Sequence, residues 1–185
     1  GKIVPVWLKG LFGKEYIYAT LTTAAVGSIL DINLVEVSQA LASWEGVEGK
    51  LKLEAGLKNT FILDDTAEAS IWSMTEGLEI LGKLERNGGR RIAVLGDVLS
   101  VGKYAIEAHE SLGEIAAENA DILFTIGERA RFIAERAKQK GISEENIFQF
   151  DIAKEAIDIL KKEIRPGDII LVDGSPEIGI SEIVR

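Results

Sequence analysis

The residues best equipped for chemistry come in short polar groups directly after apolar runs. Phe61-Ile62-Leu63 leads into Asp64-Asp65-Thr66. Arg91 to Leu95 leads into Gly96-Asp97, and Ile169 to Val172 leads through Asp173 into Gly174-Ser175-Pro176. Adjacent carboxylates on an extended chain point to opposite faces, so Asp64 and Asp65 are predicted to do different jobs. One job is to accept a ribose hydroxyl, as acids do at strand ends in nucleotide folds. The competing reading is that one of the two caps the following helix. Gly96 either lets backbone approach a ligand or makes a tight turn, and Gly174-Ser175 carries the same two readings.

His109 is the single histidine and there is no cysteine. His109 lies in a helical stretch near Leu112, where capping, packing and ligand contact are all open; we read it as structural or surface. With no thiolate and one imidazole, a metal site would have to be oxygen-ligated and Mg²⁺-like, and no metal ligand is assigned. The phosphate-loop pattern G-x-x-x-x-G-K-[ST] is absent. Gly13-Lys14 is followed by Glu15, which has no hydroxyl to offer Mg²⁺. Neither G-x-G-x-x-G nor G-x-S-x-G occurs.

The elements that must position these groups follow from hydrophobic period. Lys2 to Leu8 is β-prone. Glu15 to Leu30 is predicted as a helix with Tyr16, Ile17, Leu21, Ala24, Ala25 and Ile29 apolar. A turn at Asp31-Ile32-Asn33 precedes a second helix over Leu34 to Trp44, with Val35, Val37, Leu41 and Trp44 apolar. Gly46 to Gly49 reads as a linker. From Lys50 strands and helices alternate. Strands are predicted over Leu51–Ala55, Thr60–Leu63, Arg91–Leu95, Ile122–Ile126, Ile147–Phe150 and Ile169–Val172. Helices are predicted over Ser70–Arg86, Tyr104–Asn119, Glu128–Lys140 and Ala153–Ile164. Asn87-Gly88-Gly89 and Gly141 are read as helix ends. Strands that are apolar throughout and alternate with helices predict a mainly parallel sheet covered on both faces.

Composition narrows the classes. The chain has 185 residues, 46% hydrophobic and 28% charged, enough for one domain with a real core, or one plus part of another. Its net charge of −9 argues against a nucleic-acid partner. The one basic cluster, Arg86 with Arg90 and Arg91, is read as a solvated turn. No apolar run reaches the roughly 20 residues of a membrane span, and none reads as a secretion signal, so a cytoplasmic setting is expected. The sequence opens on Gly1 and its only Met is Met74, so an excised piece or tag scar is expected.

Several of these runs resemble the Mur ligase family, specifically its C-terminal region and most closely its D-alanyl-D-alanine-adding branch. Ile62-Leu63-Asp64-Asp65-Thr66 is similar to that family's strand and acidic pair. Arg90 to Leu99 resembles its G-R-R-I-A-V-L-G-D-M-L run. His109, Gly113, Ala116 and Ala117 match its H-x-x-x-G-x-x-A-A helix, and Pro166-Gly167-Asp168 through Ser175 resembles its P-G-D-x-x-L-x-K-G-S ending. The resemblance is collinear over nearly the whole chain. It implies an α/β fold: a Rossmann-like mainly parallel sheet with helices on both faces, preceded by a small helical remnant of a central ATPase domain. Residues 1–48 would be that remnant and residues 49–185 the C-terminal domain.

Such ligases join an amino acid or dipeptide to a UDP-muramoyl peptide in peptidoglycan synthesis. ATP, with Mg²⁺, phosphorylates the substrate carboxylate, and the amine attacks the acyl phosphate. The resemblance implies that Lys50 and Asp65 contact the nucleotide, Asp65 at its ribose. Asp64, Asp97 and Ser175 would lie on the substrate side, Ser175 near the incoming amine. The chain departs from the pattern at polar positions. Ala67-Glu68-Ala69-Ser70-Ile71 replaces Y-N-A-N-P, and Asp173 replaces the lysine of K-G-S. Lys50 replaces an arginine and loses its bidentate fork, and Glu15 and Ala19 replace the His and Asn of H-x-x-x-N. The chain alone is expected to be inactive and to hold no ATP or Mg²⁺, since it lacks the phosphate loop. A divergent Mur-like binding or scaffold module is the alternative.

Overall fold

Five parallel strands and one antiparallel edge strand carry the polar groups to one rim of a single sheet. The computed structural model describes residues 3–86 and 88–185. Gly1, Lys2 at the head of the expected first strand, and Asn87 in an expected helix end lie outside the described residues. The chain divides into two compact units between Val47 and Glu48.

The first unit holds α1 (Lys14–Ile29) and α2 (Leu34–Ala42). The Asn33 side chain caps α2 by accepting from Val35 N–H. Val37 and Leu41 are buried, and Tyr16 meets Trp44 edge-on at 5.3 Å. Residues 3–8 form no strand, contrary to the β-prone reading. Pro5 has no N–H to give a ladder, and its carbonyl accepts from Ser38 Oγ instead. Ile17, Leu21, Ile29 and Val35, expected inward, are exposed; two helices give each other too little surface to cover them.

In the second unit the strands are β1 (Lys52–Ala55), β2 (Phe61–Asp65), β3 (Arg91–Gly96), β4 (Ile122–Ile126), β5 (Ile147–Phe150) and β6 (Ile169–Asp173). The helices are α3 (Ile71–Lys83), α4 (Ala105–Asn119), α5 (Ala130–Lys140) and α6 (Ala153–Glu163). The sheet order is β1-β2-β6-β3-β4-β5, with only the β1–β2 pair antiparallel. Ile92, Val94, Phe124, Ile126, Ile170 and Val172 pack on Ala153, Ala156 and Leu160 of α6. The alternate residues, including Leu63, Ala93, Leu95, Leu123 and Leu171, turn to the other face, where α3, α4 and α5 lie side by side. The α/β sheet covered on both faces is therefore as the sequence predicts.

Three local differences bear on the site. β2 and β6 continue past the expected ends, so Asp64, Asp65 and Asp173 sit inside the ladder, with Asp65 opposite Asp173. The helix after β2 is capped by Ser70, in a reciprocal box with Ser73, so neither Asp64 nor Asp65 caps it. Within the basic cluster, Arg90 and Arg91 are not solvated, whereas Arg86 is exposed. Arg90 pairs with the buried Asp168, Arg91 donates to the Leu84 carbonyl, and Arg86 pairs with Asp121. The chain passes through a narrow gap here, and the guanidinium groups tie its backbone together.

Candidate functional site

The carboxyl-end rim contains two constellations. The first fixes the loop after β3. Asp97 Oδ1 accepts from the N–H groups of Arg129 (2.9 Å) and Ala130 (2.7 Å), capping α5 from another strand. The Asp97 carbonyl accepts from Ser175 N–H, and Ser175 Oγ accepts from Leu99 N–H at 3.0 Å. His109 is fully buried; its Nε2 accepts from Val98 N–H at 3.1 Å, so Nδ1 carries the proton and donates to the Ala105 carbonyl at 2.6 Å. Burial holds the His109 pKa below its ordinary value, which keeps this neutral tautomer in place. His109 is therefore structural. Gly96 meets Gly174 backbone to backbone: a Cβ on Gly174 would lie 2.8 Å from Gly96 Cα. The close approach seen at these glycines is between two backbone segments, which is neither of the two readings made from sequence.

Asp97→Ala should therefore destabilise the protein by about 1–3 kcal/mol, because two buried N–H groups lose their acceptor. Denaturant unfolding of the variant measures this. Asp97→Asn keeps an acceptor oxygen and should cost less. Equal loss in both variants would mean that the cap is not the source.

The second constellation is an acid pair. Asp65 is 3% and Asp173 0% exposed, register partners on the neighbouring strands β2 and β6 and on the α3 face. Asp65 Oδ1 accepts from Leu51 N–H at 3.2 Å. Asp65 Oδ2 and both Asp173 oxygens have no hydrogen-bond partner. Burial pushes the Asp65 carboxyl up to about 7, against the pull of Leu51 N–H, Asp173 and Lys50 and with a small push from Asp64. Burial, and then repulsion by Asp65, raises Asp173 well above the ordinary carboxylate range. The two titrate as a pair.

Asp64 points the other way, as expected for adjacent strand residues. Its Oδ1 accepts from Thr66 N–H and Oγ1 at 3.1 and 2.7 Å. It helps line a cavity of about 410 Å³ with Glu48, Glu54, Thr66, Ser181 and Arg185. Lys50 stands at the rim beside the acid pair, its ammonium on the Glu68 carboxylate.

The expected site residues thus fall into three places. Lys50 and Asp65 are neighbours, Asp97 and Ser175 share the β3 loop, and Asp64 opens on the opposite face. Asp65, turned inward with one oxygen on Leu51, does not fit a ribose hydroxyl in this conformation. Lys50 fits an anionic group as a point charge once it leaves Glu68. Among the described residues no three carboxylates or histidines gather to hold a metal ion, and no helix is long and apolar enough to cross a membrane. The sequence reading treated Asp173 only as a departure; its facing of Asp65 depends on strand register, which no local pattern announces.

Comparison with known proteins places this geometry. The family described as "Mur ligase, glutamate ligase domain" matches residues 53–176. A UDP-N-acetylmuramoyl-tripeptide–D-alanyl-D-alanine ligase from Bacillus subtilis is 26% identical over 95% of this chain and 38% of its own length. The Escherichia coli protein of the same name is 28% identical over 94% of this chain and 37% of its own length. The chain thus spans a little over a third of these relatives. Among solved structures, Acinetobacter baumannii MurF superposes with a TM-score of 0.80 at 21% identity, covering 93% of this chain and 37% of that one. Thermotoga maritima MurF, solved in complex with ADP, gives a TM-score of 0.78 at 22% identity, covering 97% and 39%.

Proposed function

Because the chain belongs to the Mur ligase family, matching its glutamate ligase domain over residues 53–176, we propose that it works as the C-terminal part of an ATP-dependent amide ligase of peptidoglycan precursor synthesis. In this reading residues 1–48 are the end of the central ATPase domain and residues 49–185 the C-terminal domain. The longer protein acts in the cytoplasm on a UDP-muramoyl peptide and an amino acid or dipeptide, with ATP and Mg²⁺ as the ligase chemistry requires. The family match over the whole strand-bearing unit carries the proposal.

What this chain's own residues contribute is placement. Asp97 and Ser175 hold the β3 and β6 loops together at the rim that would face the incoming amine. Asp64 offers the rim a carboxylate on the opposite face, where it can accept from an ammonium group. Lys50 supplies a cation for the nucleotide side. Asp65 enters as the group that holds Leu51 rather than as a ribose ligand.

The long protein, given UDP-muramoyl tripeptide, D-alanyl-D-alanine and ATP, is expected to release phosphate only when both other substrates are present. The 185-residue chain alone should release none. Substrate-independent or absent release from the long protein overturns the proposal, as does turnover by the chain alone. One observation favours a second reading, a non-catalytic Mur-like binding module. Asp173 sets a second buried carboxyl beside Asp65, so the rim that would meet phosphate is more acidic. Binding of the muramoyl peptide without phosphate release supports that reading.

A further inference from the structure

We propose that Asp65 and Asp173 share one proton between β2 and β6, and that this proton holds the Gly49–Leu51 turn, and Lys50 with it, against the rim of the sheet. As two carboxylates the pair presents three buried oxygens with no donor among them. A buried acceptor without a donor is costly, and two like charges in one dry site are more so. A proton on Asp173 donates to Asp65 Oδ2, which removes one of the two charges and satisfies two of the three oxygens. The Gly174 N–H pulls on the Asp173 carboxyl that remains. Asp65 then keeps its other oxygen on Leu51 N–H.

That bond is one of two that clamp the turn. Ala67 N–H donates to the Gly49 carbonyl at 2.9 Å, and the backbones touch so closely that a Cβ on Gly49 would lie 2.7 Å from Ala67 N. The clamped turn is strained. Leu51, a non-glycine residue, has φ 43°, and Gly49 has φ 70°. A non-glycine residue holds a positive φ only when its surroundings impose it. Here the imposing group is the Asp65 carboxyl. If Asp65 turns away to escape a second ionised carboxylate, Leu51 loses its acceptor and the turn loses half its clamp.

The surroundings leave little else to absorb the charge. From the turn before β1, Lys50 acts on both acids. On β1, Lys52 and Glu54 pair with each other at 3.1 Å. On β2, Asp64 faces the opposite side and adds a small push. The buried residues of α3, Met74, Gly77, Leu78 and Leu81, carry no charge, and its half-buried acid is Glu76. At the end of β3, Asp97 is spent on the start of α5. Asp173 is thus a positioning residue, acting through Asp65 and Leu51 on Lys50. What Lys50 then does rests on the ligase reading, but the shared proton does not.

The test uses the full 185-residue chain with carbon-13-labelled Asp carboxyls and needs no substrate, so a failed ligase assay leaves it standing. In the wild type, one carboxyl of the pair should keep its proton through neutrality. Protection of the Leu51 amide from exchange should fall about tenfold, beyond the intrinsic rise in exchange, between about pH 6 and about pH 9. In Asp173→Asn the Asp65 carboxyl should titrate in a single step at lower pH, with Leu51 protection independent of pH. Asp65→Asn keeps an acceptor for Leu51 N–H and should give the same flat protection; it serves as the second probe if the first variant folds poorly. Two carboxyls titrating independently near the ordinary range, or Leu51 protection with the same pH course in wild type and variants, overturns the proposal.

Discussion

Replacing Arg90 with Ala is expected to destabilise the protein by about 3–5 kcal/mol, read as a lower midpoint in urea at unchanged slope. The reason is what stays behind. Asp168 is 1% exposed and accepts from Arg90 three times: from the backbone N–H (2.9 Å), Nε (3.2 Å) and Nη2 (2.7 Å). Nη2 also donates to the Glu163 carbonyl at 2.6 Å, and Arg165 N–H reaches Asp168 Oδ2 at 2.8 Å. These bonds draw the entries to β3 and β6 and the end of α6 to one point. Removing the guanidinium leaves a buried carboxylate short of two donors and a carbonyl short of one. Arg90→Lys keeps the charge without the fork and should recover only part of the loss. The double variant with Asp168→Asn should lose less than the two single losses added, because the buried charge goes with its partner. Acid behaviour gives the second check. Burial alone would raise the Asp168 carboxyl, but Arg90 and the two backbone N–H groups outweigh it and hold the pKa below the ordinary value. A depressed carboxyl lends stability that is present above the ordinary range and lost as pH falls through the folded value. In Arg90→Ala burial is left to raise the Asp168 carboxyl, so that acid loss should shrink or reverse. A cost below about 1 kcal/mol, typical of exposed pairs, would show that the triad is not the anchor its geometry implies.

Much of the sheet was legible because its signals are local. Ile122 to Ile126 is β-prone at every position, with four apolar residues and Thr125, and is bounded by Asp121 and Gly127, so its strand limits agree with prediction to the residue. Gly141 ends α5 with φ 118°, the left-handed cap that glycine takes freely. What escaped is long-range. Asp97 caps a helix that starts more than thirty residues later, and nothing around Asp97 marks it as an N-cap. His109 accepts from Val98 across a turn, which spacing along a helix cannot indicate. Asp65 faces Asp173 only because β6 inserts between β2 and β3 in one register; a shift of one residue would turn Asp173 to the α6 face. β2 and β6 are predicted to end before these acids, whereas the ladder carries Asp64, Asp65 and Asp173 inside. Arg90 looks solvated in the sequence because Asp168, its buried partner, lies far along the chain.

The acid pair should make the protein less stable at alkaline than at mildly acidic pH, and Asp173→Asn should reduce that dependence. The sign follows from the folded state binding protons more tightly than the unfolded chain. Both carboxyls are raised, Asp65 to about 7 and Asp173 well above the ordinary carboxylate range. Stability is then complete below the ordinary carboxylate range and falls as pH rises through the raised values. Asp65 alone spans about three pH units, worth about 4 kcal/mol at the order-of-magnitude level. About two of those units lie between about pH 5 and the raised value, worth about 3 kcal/mol. For a chain of this size that is a melting temperature roughly 6–12 °C lower at about pH 8 than at about pH 5. Asn at position 173 keeps the shape, cannot ionise and offers Asp65 an N–H donor, so its gain should be large at about pH 8 and small at about pH 5. Net charge is the competing cause, because a chain at −9 repels itself more as pH rises. Asp158→Asn makes the same charge change at an exposed site on α6, and Asp64→Asn makes it next door on the opposite face. If either matches Asp173→Asn, the effect is global charge. If only the residue at 173 flattens the pH profile, the cost arises where two carboxyls meet without a donor, and the proton they hold near neutrality is part of the fold.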